Sequence, residues 1–227
     1  HLGLLEQQCT PMIQYPSLFE AEESRPNTIG QYCDIGNGMV SGLDKAFQWS
    51  GAAVNANEAA TLLPVVKAKS LRPYYHEGAT PYIFLPQGLQ EENLKQNYPS
   101  FFKHLQAWKP ELERRYQYNR SIPYWEWVFP RSYHLFSRPE PRILVPCKER
   151  ISNKDYFRFA LADNGQYPTQ DVTALFRKPQ TRESIAYILA YLNNPRVFNW
   201  LKHKGVVKGN IIEFSEKPIS SIPFRAI

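Results

Sequence analysis

The apolar residues of this chain fall into short strand-like runs and longer helical stripes, and no segment repeats another. Runs rich in β-branched and aromatic residues predict strands at 29–35, 39–49, 82–85, 142–145 and 156–162. Gly36-Asn37-Gly38 predicts a hairpin turn between the first two runs, because Asn-Gly suits tight turns between strands. The prolines around 82–85 predict a strand at a sheet edge.

Helical spacing of apolar residues, with capping residues before it, predicts four helices. The clearest begins near Tyr98, and Pro110 is expected to kink or break it. Its apolar stripe is Phe101, Leu105, Trp108 and Leu112. A second helix is predicted at 57–67, capped by Asn55 or Asn57 and disturbed by Pro64. A third is capped by Thr181 and has the apolar stripe Ile185, Ile188, Leu189 and Leu192. The fourth runs from Asn194-Pro195 to Lys202, His203 and Lys204.

These elements do not alternate as in a parallel α/β protein, so they predict an α+β fold with irregular mixed sheets and packed helices. Residues 1–28 are polar, acidic and interrupted by three prolines. We interpret 1–28 as a linker or arm from something upstream, and 29–227 as the folded domain.

Composition narrows the class of protein. The hydrophobic fraction of 43% excludes a disordered chain, and 14% of the residues are aromatic. We expect no membrane association, because no apolar run approaches about 20 residues. We also expect no signal peptide. Cys9, Cys33 and Cys147 lack metal-ligand spacing and are odd in number, which predicts free thiols and a cytoplasmic protein.

Positive charge is concentrated in two segments. Residues 101–158 carry twelve Lys/Arg against six Asp/Glu, and residues 177–208 carry seven against one, within a net charge of +6. Such segments favour a polyanionic partner, although two solvated basic faces without a partner fit equally well.

No catalytic constellation stands out. The glycine-rich segment 36–42 precedes strand-like sequence, so it offers no helix N-terminus to a phosphate, and no Gly-Lys-Ser/Thr loop is present. The five histidines are scattered without metal-binding spacing. We therefore expect no enzyme activity, bound cofactor or metal in this chain by itself.

Several blocks, in order, resemble the TaqI-like C-terminal specificity domain of N6-adenine DNA methyltransferases and restriction-modification enzymes. The first is Asp34–Phe47, DIGNGMVSGLDKAF, which is similar to the opening of that domain. The others are Lys69–Tyr74, Tyr98-Pro99-Ser100 with Leu105 and Leu112-Glu113-x-Arg115, Trp125 or Trp127 with Pro130-Arg131, Pro141–Pro146, Tyr187–Asn193 and Ile222-Pro223. The resemblance covers about Gln31 to Pro223. The chain departs from the family pattern at Arg142, at Asn194 and around His76-Glu77-Gly78.

The resemblance implies a TaqI-like specificity domain that reads a short sequence in double-stranded DNA, so that one adenine is flipped into a catalytic pocket. The methyltransferase domain would lie upstream in the same parent chain, with or without a fused endonuclease, and the parent would use S-adenosyl-methionine. This division of labour is physically reasonable, since contacts outside the pocket can offset the free energy of flipping. Residues 1–28 would then be the linker from the catalytic domain.

The predicted DNA-binding residues are basic side chains of the strand-rich middle, where arginine can read guanine and lysine mainly positions the backbone. They are Lys45, Lys67, Lys69, Arg72, Arg131, Arg142, Lys148, Arg150, Lys154 and Arg158. Arg142 and Arg158 sit in strand patterns and could instead point inward to a carboxylate. Lys202, Lys204 and Lys208 form a second patch, and the sequence leaves open whether both patches face one duplex.

Alternatives remain open at this point. Tyr124, Trp125, Trp127 and Phe129 could stack on bases, but core packing is the better interpretation in so aromatic a chain. The same charges and aromatics would also serve an RNA-binding module or a protein-interaction scaffold with incidental basic charge.

Overall fold

A four-stranded antiparallel sheet runs through the middle of the protein in the computed structural model, which describes residues 27–51 and 54–227. Two three-stranded sheets, ten α-helices and one short 3-10 helix complete this part of the chain. The predicted α+β class, with irregular mixed sheets and packed helices, is confirmed. None of the helices in the described ranges is long and apolar enough to cross a bilayer.

The strands are β1 (Cys33–Asn37), β2 (Leu62–Val66), β3 (Thr80–Ile83), β4 (Arg142–Pro146), β5 (Lys148–Arg150), β6 (Ala160–Ala162), β7 (Tyr167–Pro168), β8 (Val172–Arg177), β9 (Val206–Lys208) and β10 (Ile211–Glu213). The α-helices are α1 (Ile29–Tyr32), α2 (Asp44–Phe47), α3 (Ala56–Ala60), α4 (Glu91–Asn97), α5 (Pro99–Ala107), α6 (Lys109–Arg114), α7 (Tyr133–Phe136), α8 (Ile185–Leu192), α9 (Pro195–Lys204) and α10 (Glu216–Ser220); the 3-10 helix is Ala68–Ser70.

The central sheet, in the order β1-β8-β4-β6, separates two hydrophobic cores because successive side chains of a strand point to opposite faces. Leu144 and Phe176 enter one core with α4, α5, α6 and the sheet β3-β2-β7. Ile143 and Leu175 enter the other core with α8, α9, α10 and, through Ile212, the sheet β5-β10-β9. Both faces of the central sheet are therefore covered.

The two ends of the central sheet differ in what they carry. β1 and β4 finish, and β6 and β8 start, at one end, which we call the basic end. The 3-10 helix, the loop 151–159 and the sheet β5-β10-β9 extend from it. At the opposite end, β4 begins with Arg142 and β8 finishes with Arg177.

Helices with strong local signals form where the sequence predicts them. The helix near Tyr98 is α5, and the chain breaks at Trp108 before α6, which holds Pro110 in its first turn. Asn194 caps α9, whose last turn contains Lys202, His203 and Lys204. The strand 142–145 is β4, and 82–85 overlaps β3 at the edge of its sheet.

The prediction for 29–49 is largely wrong. Thr28 and Gln31 form a capping box, so 29–32 is helical and the strand begins only at Cys33. Gly36-Asn37-Gly38 is not a hairpin turn, since β1 continues to Asn37 opposite Thr173. A Cβ on Gly38 would lie 2.0 Å from the Thr169 carbonyl oxygen, which explains the glycine. Met39 and Val40 make isolated bridges, and α2 follows.

Three further element predictions need correction. The helix 57–67 stops at Ala60, and Pro64 lies in β2 opposite Pro81, because the run 62–66 fits a strand. In 156–162 only 160–162 is a strand. Ser184, not Thr181, caps α8, since the Thr181 hydroxyl donates to the Tyr32 carbonyl. Most of the predicted linker, 1–26, lies outside the described residues, whereas Thr28 bridges to Pro223.

Candidate nucleic-acid interface

Eight of the ten predicted DNA-binding residues lie at the basic end of the central sheet or on the elements that extend from it. They come from three parts of the chain that the fold brings together: Lys67, Lys69 and Arg72; Arg131; and Lys148, Arg150, Lys154 and Arg158. Lys45 lies exposed on α2, next to Asp44, which contacts Lys67. Arg142 is at the opposite end.

The outer side of the sheet β5-β10-β9 carries the densest positive charge. Ile211 lies between Arg150 and Lys208, and Glu213 lies beside Lys148. The side chains of Lys148 and Lys208 are 64% and 73% exposed. Alternate residues on these strands turn inward, where Ile212 and Glu149 are buried. The sheet therefore holds three cationic side chains outward: Lys148, Arg150 and Lys208.

The two basic segments of the sequence meet on this sheet. The ammonium groups of Lys148 and Lys208 lie 3.7 Å and 3.2 Å from the same oxygen, Glu213 Oε1. α9, with Lys202 and Lys204 in its last turn, leads directly into β9. Residues 148–158 and 202–208 together carry seven Lys/Arg against two Asp/Glu. We call six cations of this surface the basic face: Lys148, Arg150, Lys202, Lys204 and Lys208, which are exposed, and Lys154, which is partly exposed.

Arg158 joins the basic face to the 3-10 helix that carries Lys69. Its Nε donates to Glu149 Oε1 at 2.7 Å, and its Nη1 donates to the carbonyls of Ala68 and Leu71. Lys154 lies 2.9 Å from the same Glu149 oxygen. Because Glu149 is buried, these bonds hold β5, the loop 151–159 and the 3-10 helix together. The structure thus shows the alternative in which Arg158 points to a carboxylate. Arg158 positions β5 and the 3-10 helix relative to each other.

Lys67 is also engaged inside the protein. Its ammonium group contacts the Asp44 carboxylate, lies 3.1 Å from Asp171 Oδ1 and donates to the Thr169 hydroxyl at 2.8 Å. Burial by itself would lower the pKa of Lys67, but the hydrogen bond to Asp44 and the charge of Asp171 outweigh it, so the pKa is raised above 10.5. Lys67 therefore holds α2 and the start of β8 together.

We expect this cluster to make the protein sensitive to alkali. The folded state binds the Lys67 proton more tightly than the unfolded state, so the stabilisation is complete below about pH 10.5 and is lost as the pH rises through the raised pKa. Melting temperatures measured by circular dichroism between about pH 8 and 12 should fall more steeply for the wild type than for Lys67→Met. Parallel curves would contradict this role.

Arg142 requires a correction, because its side chain is fully buried and cannot reach a ligand at the surface. Its guanidinium donates to four main-chain carbonyls and, among the described residues, to no carboxylate. The alternative that Arg142 points inward is therefore right, but its expected partner, a carboxylate, is wrong. The acceptors are Phe136, Arg138, Glu140 and Gln166. Burial lowers the pKa of Arg142, and the ring of Phe176 lies 4.7 Å from its guanidinium carbon.

Arg131 is held by an internal hydrogen bond but is also partly exposed, so it could both stabilise the fold and contact a ligand. Its Nε donates to the Gly38 carbonyl at 2.8 Å, which fixes it beside the last residue of β1. Its guanidinium carbon lies 5.9 Å from the centre of the Phe129 ring, which is 40% exposed. Arg72 is partly exposed and pairs with Glu77 at 2.7 Å. Both arginines are partly exposed and have guanidinium N–H groups beyond those used in these contacts.

Core packing, the favoured interpretation for all four aromatics of 124–129, is wrong for Phe129, which is 40% exposed and belongs to neither hydrophobic core of the described residues. Tyr124, Trp125 and Trp127 are buried, and the Trp127 indole donates to the Ile83 carbonyl, so core packing is confirmed for these three. Sequence reasoning missed other aromatics that are exposed next to the basic residues: Tyr74, Tyr75 and Tyr156. Their neighbours Arg72, Lys154 and Arg158 were the available signal, because aromatics interleaved with basic residues are typical of nucleic-acid surfaces.

In 27–51 and 54–227, no three His, Cys, Asp or Glu side chains lie together as a metal site. Cys33 and Cys147 are free thiols, and burial raises the pKa of Cys33 to about 12, which disfavours the reactive thiolate. Cys9 lies outside the described residues. The interface consists of cations and rings on loops and strand ends.

Comparison with known proteins relates the chain to type II methyltransferases. It is 51% identical over 215 residues to the type II methyltransferase M.HindII of Haemophilus influenzae. The matched region covers 95% of this chain and 41% of that protein. It is 31% identical over 189 residues to the type II methyltransferase M.MjaIV of Methanocaldococcus jannaschii, with 81% and 61% covered. The chain thus spans about two fifths of the first relative and three fifths of the second. No family model matches it.

Among solved structures, the chain is similar to part of the Type IIL restriction-modification enzyme MmeI, whose structure was determined in complex with DNA. The TM-score is 0.57 at 10% sequence identity, and the match covers 87% of this chain and 25% of that chain. At this identity the likeness concerns the fold alone. The fold is therefore one that occurs in restriction-modification enzymes.

Proposed function

We propose that this chain is the DNA target recognition region, a TaqI-like specificity domain, of an N6-adenine-specific type II methyltransferase. In this proposal residues 29–227 bind duplex DNA, and residues 1–28 connect them to a methyltransferase domain elsewhere in the parent protein. That domain would supply S-adenosyl-methionine and the pocket for the flipped adenine. The relationship to type II methyltransferases, at 51% identity over 215 residues in one case, supports it.

The observation that carries the proposal is the convergence of the two basic segments at one end of the central sheet. Lys148 and Lys208 share Glu213 as a neighbour, although 60 residues separate them along the chain. Phosphates of a duplex are spaced regularly, so a rigid surface with several cations can neutralise several of them at once. At the rim, the exposed Arg150 and the partly exposed Arg72 could reach base edges.

Removing charge from the basic face is expected to weaken DNA binding. The variant Lys148→Ala/Arg150→Ala/Lys208→Ala should bind fluorescent duplex DNA at least about tenfold more weakly than the wild type at low salt. The slope of log affinity against log salt should become shallower by about 0.9 for each phosphate that the variant no longer neutralises, between about 50 and 200 mM salt. Fluorescence anisotropy of the 227-residue chain measures both quantities.

A matched control removes three positive charges elsewhere. Lys103→Ala/Arg182→Ala/Lys217→Ala changes exposed residues of α5, of the loop before α8 and of α10. Equal losses in the two triple variants would mean that only net charge matters, which would contradict a defined DNA-binding face. Tighter binding to duplex RNA than to duplex DNA would favour the RNA-binding alternative. Binding that is insensitive to salt would favour a protein-interaction scaffold.

A further inference from the structure

We propose that Tyr116, Tyr118 and Phe129, with Arg120 and Arg131, form a site on which unpaired nucleobases of a DNA strand stack. We call these five residues the aromatic ladder. This inference rests on the proposed function and adds to it a surface for bases that have left the double helix. The sequence predicted a DNA-binding role for Arg131 and raised stacking on bases for Phe129. It gave no role to Tyr116, Tyr118 or Arg120.

The three rings lie in a row. The centres of the Tyr116 and Tyr118 rings are 4.7 Å apart, and those of Tyr118 and Phe129 are 6.0 Å apart. The residues are 69%, 44% and 40% exposed, respectively. None of the three rings belongs to either hydrophobic core of the described ranges. Exposing three adjacent rings costs free energy unless a ligand covers them, which points to a binding function.

The two arginines of the ladder lie beside Phe129. The guanidinium carbons of Arg120 and Arg131 lie 5.8 Å and 5.9 Å from the centre of the Phe129 ring. An aromatic platform with guanidinium groups beside it suits a nucleobase attached to a phosphate, because the ring stacks on the base and the cation attracts the phosphate. A purely apolar partner would gain little from these two charges.

The ladder is held in place by main-chain contacts. Phe129 and Val40 exchange two backbone hydrogen bonds of 2.9 Å. Arg120 Nη2 donates to the Val128 carbonyl at 2.6 Å. Arg115, which immediately precedes Tyr116, is buried and donates to the Ser41 and Pro123 carbonyls. These contacts fix the backbone next to the rings, which reduces the conformational entropy that is lost when a base binds.

The backbone of the loop has an unusual conformation. Tyr118 and Asn119 have φ angles of 54° and 58°, in the left-handed region that residues other than glycine rarely adopt. Two consecutive residues in this region turn the chain sharply between Tyr116 and Arg120. Such conformations often occur at binding sites, where the surrounding structure maintains them. Here the turn brings the Tyr118 ring against Phe129.

The ladder adjoins the basic end of the central sheet. Arg131 donates to the Gly38 carbonyl, and Gly38 in turn donates to the carbonyl of Val172, the first residue of β8. Cys147, which connects β4 to β5, donates to the neighbouring Asp171 carbonyl. A strand that leaves a duplex bound on the basic face would therefore meet the ladder without leaving this end of the protein.

The test compares single-stranded and duplex DNA. We expect Tyr116→Ala/Tyr118→Ala to bind a fluorescein-labelled oligothymidylate of about 20 nucleotides some 5- to 150-fold more weakly than the wild type, with a smaller loss on a paired duplex. The loss should be the same at about 50 and 200 mM salt, because stacking does not release counterions. Tyr116→Phe/Tyr118→Phe keeps both rings and should recover binding relative to the alanine variant.

Tyr187→Ala is the control, since it removes a ring that packs on Phe224 away from the ladder. Melting temperatures establish that each variant is folded. If the wild type binds the oligothymidylate and the alanine variant binds it equally well, the stacking site is wrong but the basic face is not affected. A loss that disappears at high salt would also overturn it. If the wild type binds neither DNA, the proposed function fails together with this inference.

Discussion

Arg142→Ala is expected to lower the free energy of unfolding by about 4 kcal/mol, since it leaves several buried acceptors unsatisfied and opens a cavity. The guanidinium is fully buried and donates to four main-chain carbonyls within the described residues. Each orphaned carbonyl costs about 1–3 kcal/mol if water cannot reach it, and partial relaxation reduces the sum. Urea denaturation followed by circular dichroism measures the decrease in stability.

Two further variants make the result specific. Arg142→Met fills most of the volume without donors, so it should recover the cavity contribution only. Arg138→Ala removes a half-exposed arginine that pairs with Asp34, and it should cost at most about 1 kcal/mol. If Arg142→Ala weakened DNA binding while the unfolding free energy stayed the same, Arg142 would be a ligand-binding residue after all, contrary to its buried position.

Arg158→Ala is expected to destabilise the protein by about 1.5–3 kcal/mol, because it removes a charge-assisted hydrogen bond to the buried Glu149 carboxylate and leaves Lys154 as its one cationic neighbour. Glu149 Oε2 already lacks a hydrogen-bond partner among the described residues, so the carboxylate depends on what its other oxygen receives. The carbonyls of Ala68 and Leu71 lose the Arg158 donor at the same time. We expect the 3-10 helix and the loop 151–159 to loosen.

A double variant separates this effect from packing. Glu149→Leu/Arg158→Met removes the buried carboxylate together with its partly buried arginine partner, so it should be more stable than Arg158→Ala alone. Lys69→Ala, on the loosened 3-10 helix but exposed, should leave the unfolding free energy within about 0.5 kcal/mol of the wild type. A double variant less stable than Arg158→Ala would show that the Glu149–Arg158 pair is not what holds these loops together.

The predicted DNA-binding residues illustrate how far local sequence information reaches. Basic character is predictable for the segments 148–158 and 202–208, since charge is a property of composition. Which cations face solvent is not, because Lys67, Arg142 and Arg158 look like their neighbours in sequence but are held by internal acceptors. Only the positions of Asp171, Glu149 and four main-chain carbonyls distinguish them.

Among the secondary-structure elements, those with local causes were predictable. The helices α5, α6 and α9 follow from apolar spacing, from Pro110 and from the Asn194 cap, all of which act within one or two turns. In 29–49, the capping box of Thr28 and Gln31 is a local signal for the helix 29–32, whereas the conformation from Cys33 onward depends on long-range contacts and was not predictable. Gly38, for example, is required by the approach of Thr169, which is more than 130 residues away.

By itself, the sequence determined the α+β class, the helices with strong local signals, the burial of Tyr124, Trp125 and Trp127, and the two basic segments. The tertiary structure alone decided that these segments form one face around Glu213, and that Tyr116 and Tyr118 join Phe129. The physical reason is that hydrophobic periodicity and capping act between neighbours in the chain, whereas burial of a charge or adjacency of two surfaces depends on which distant strands pair.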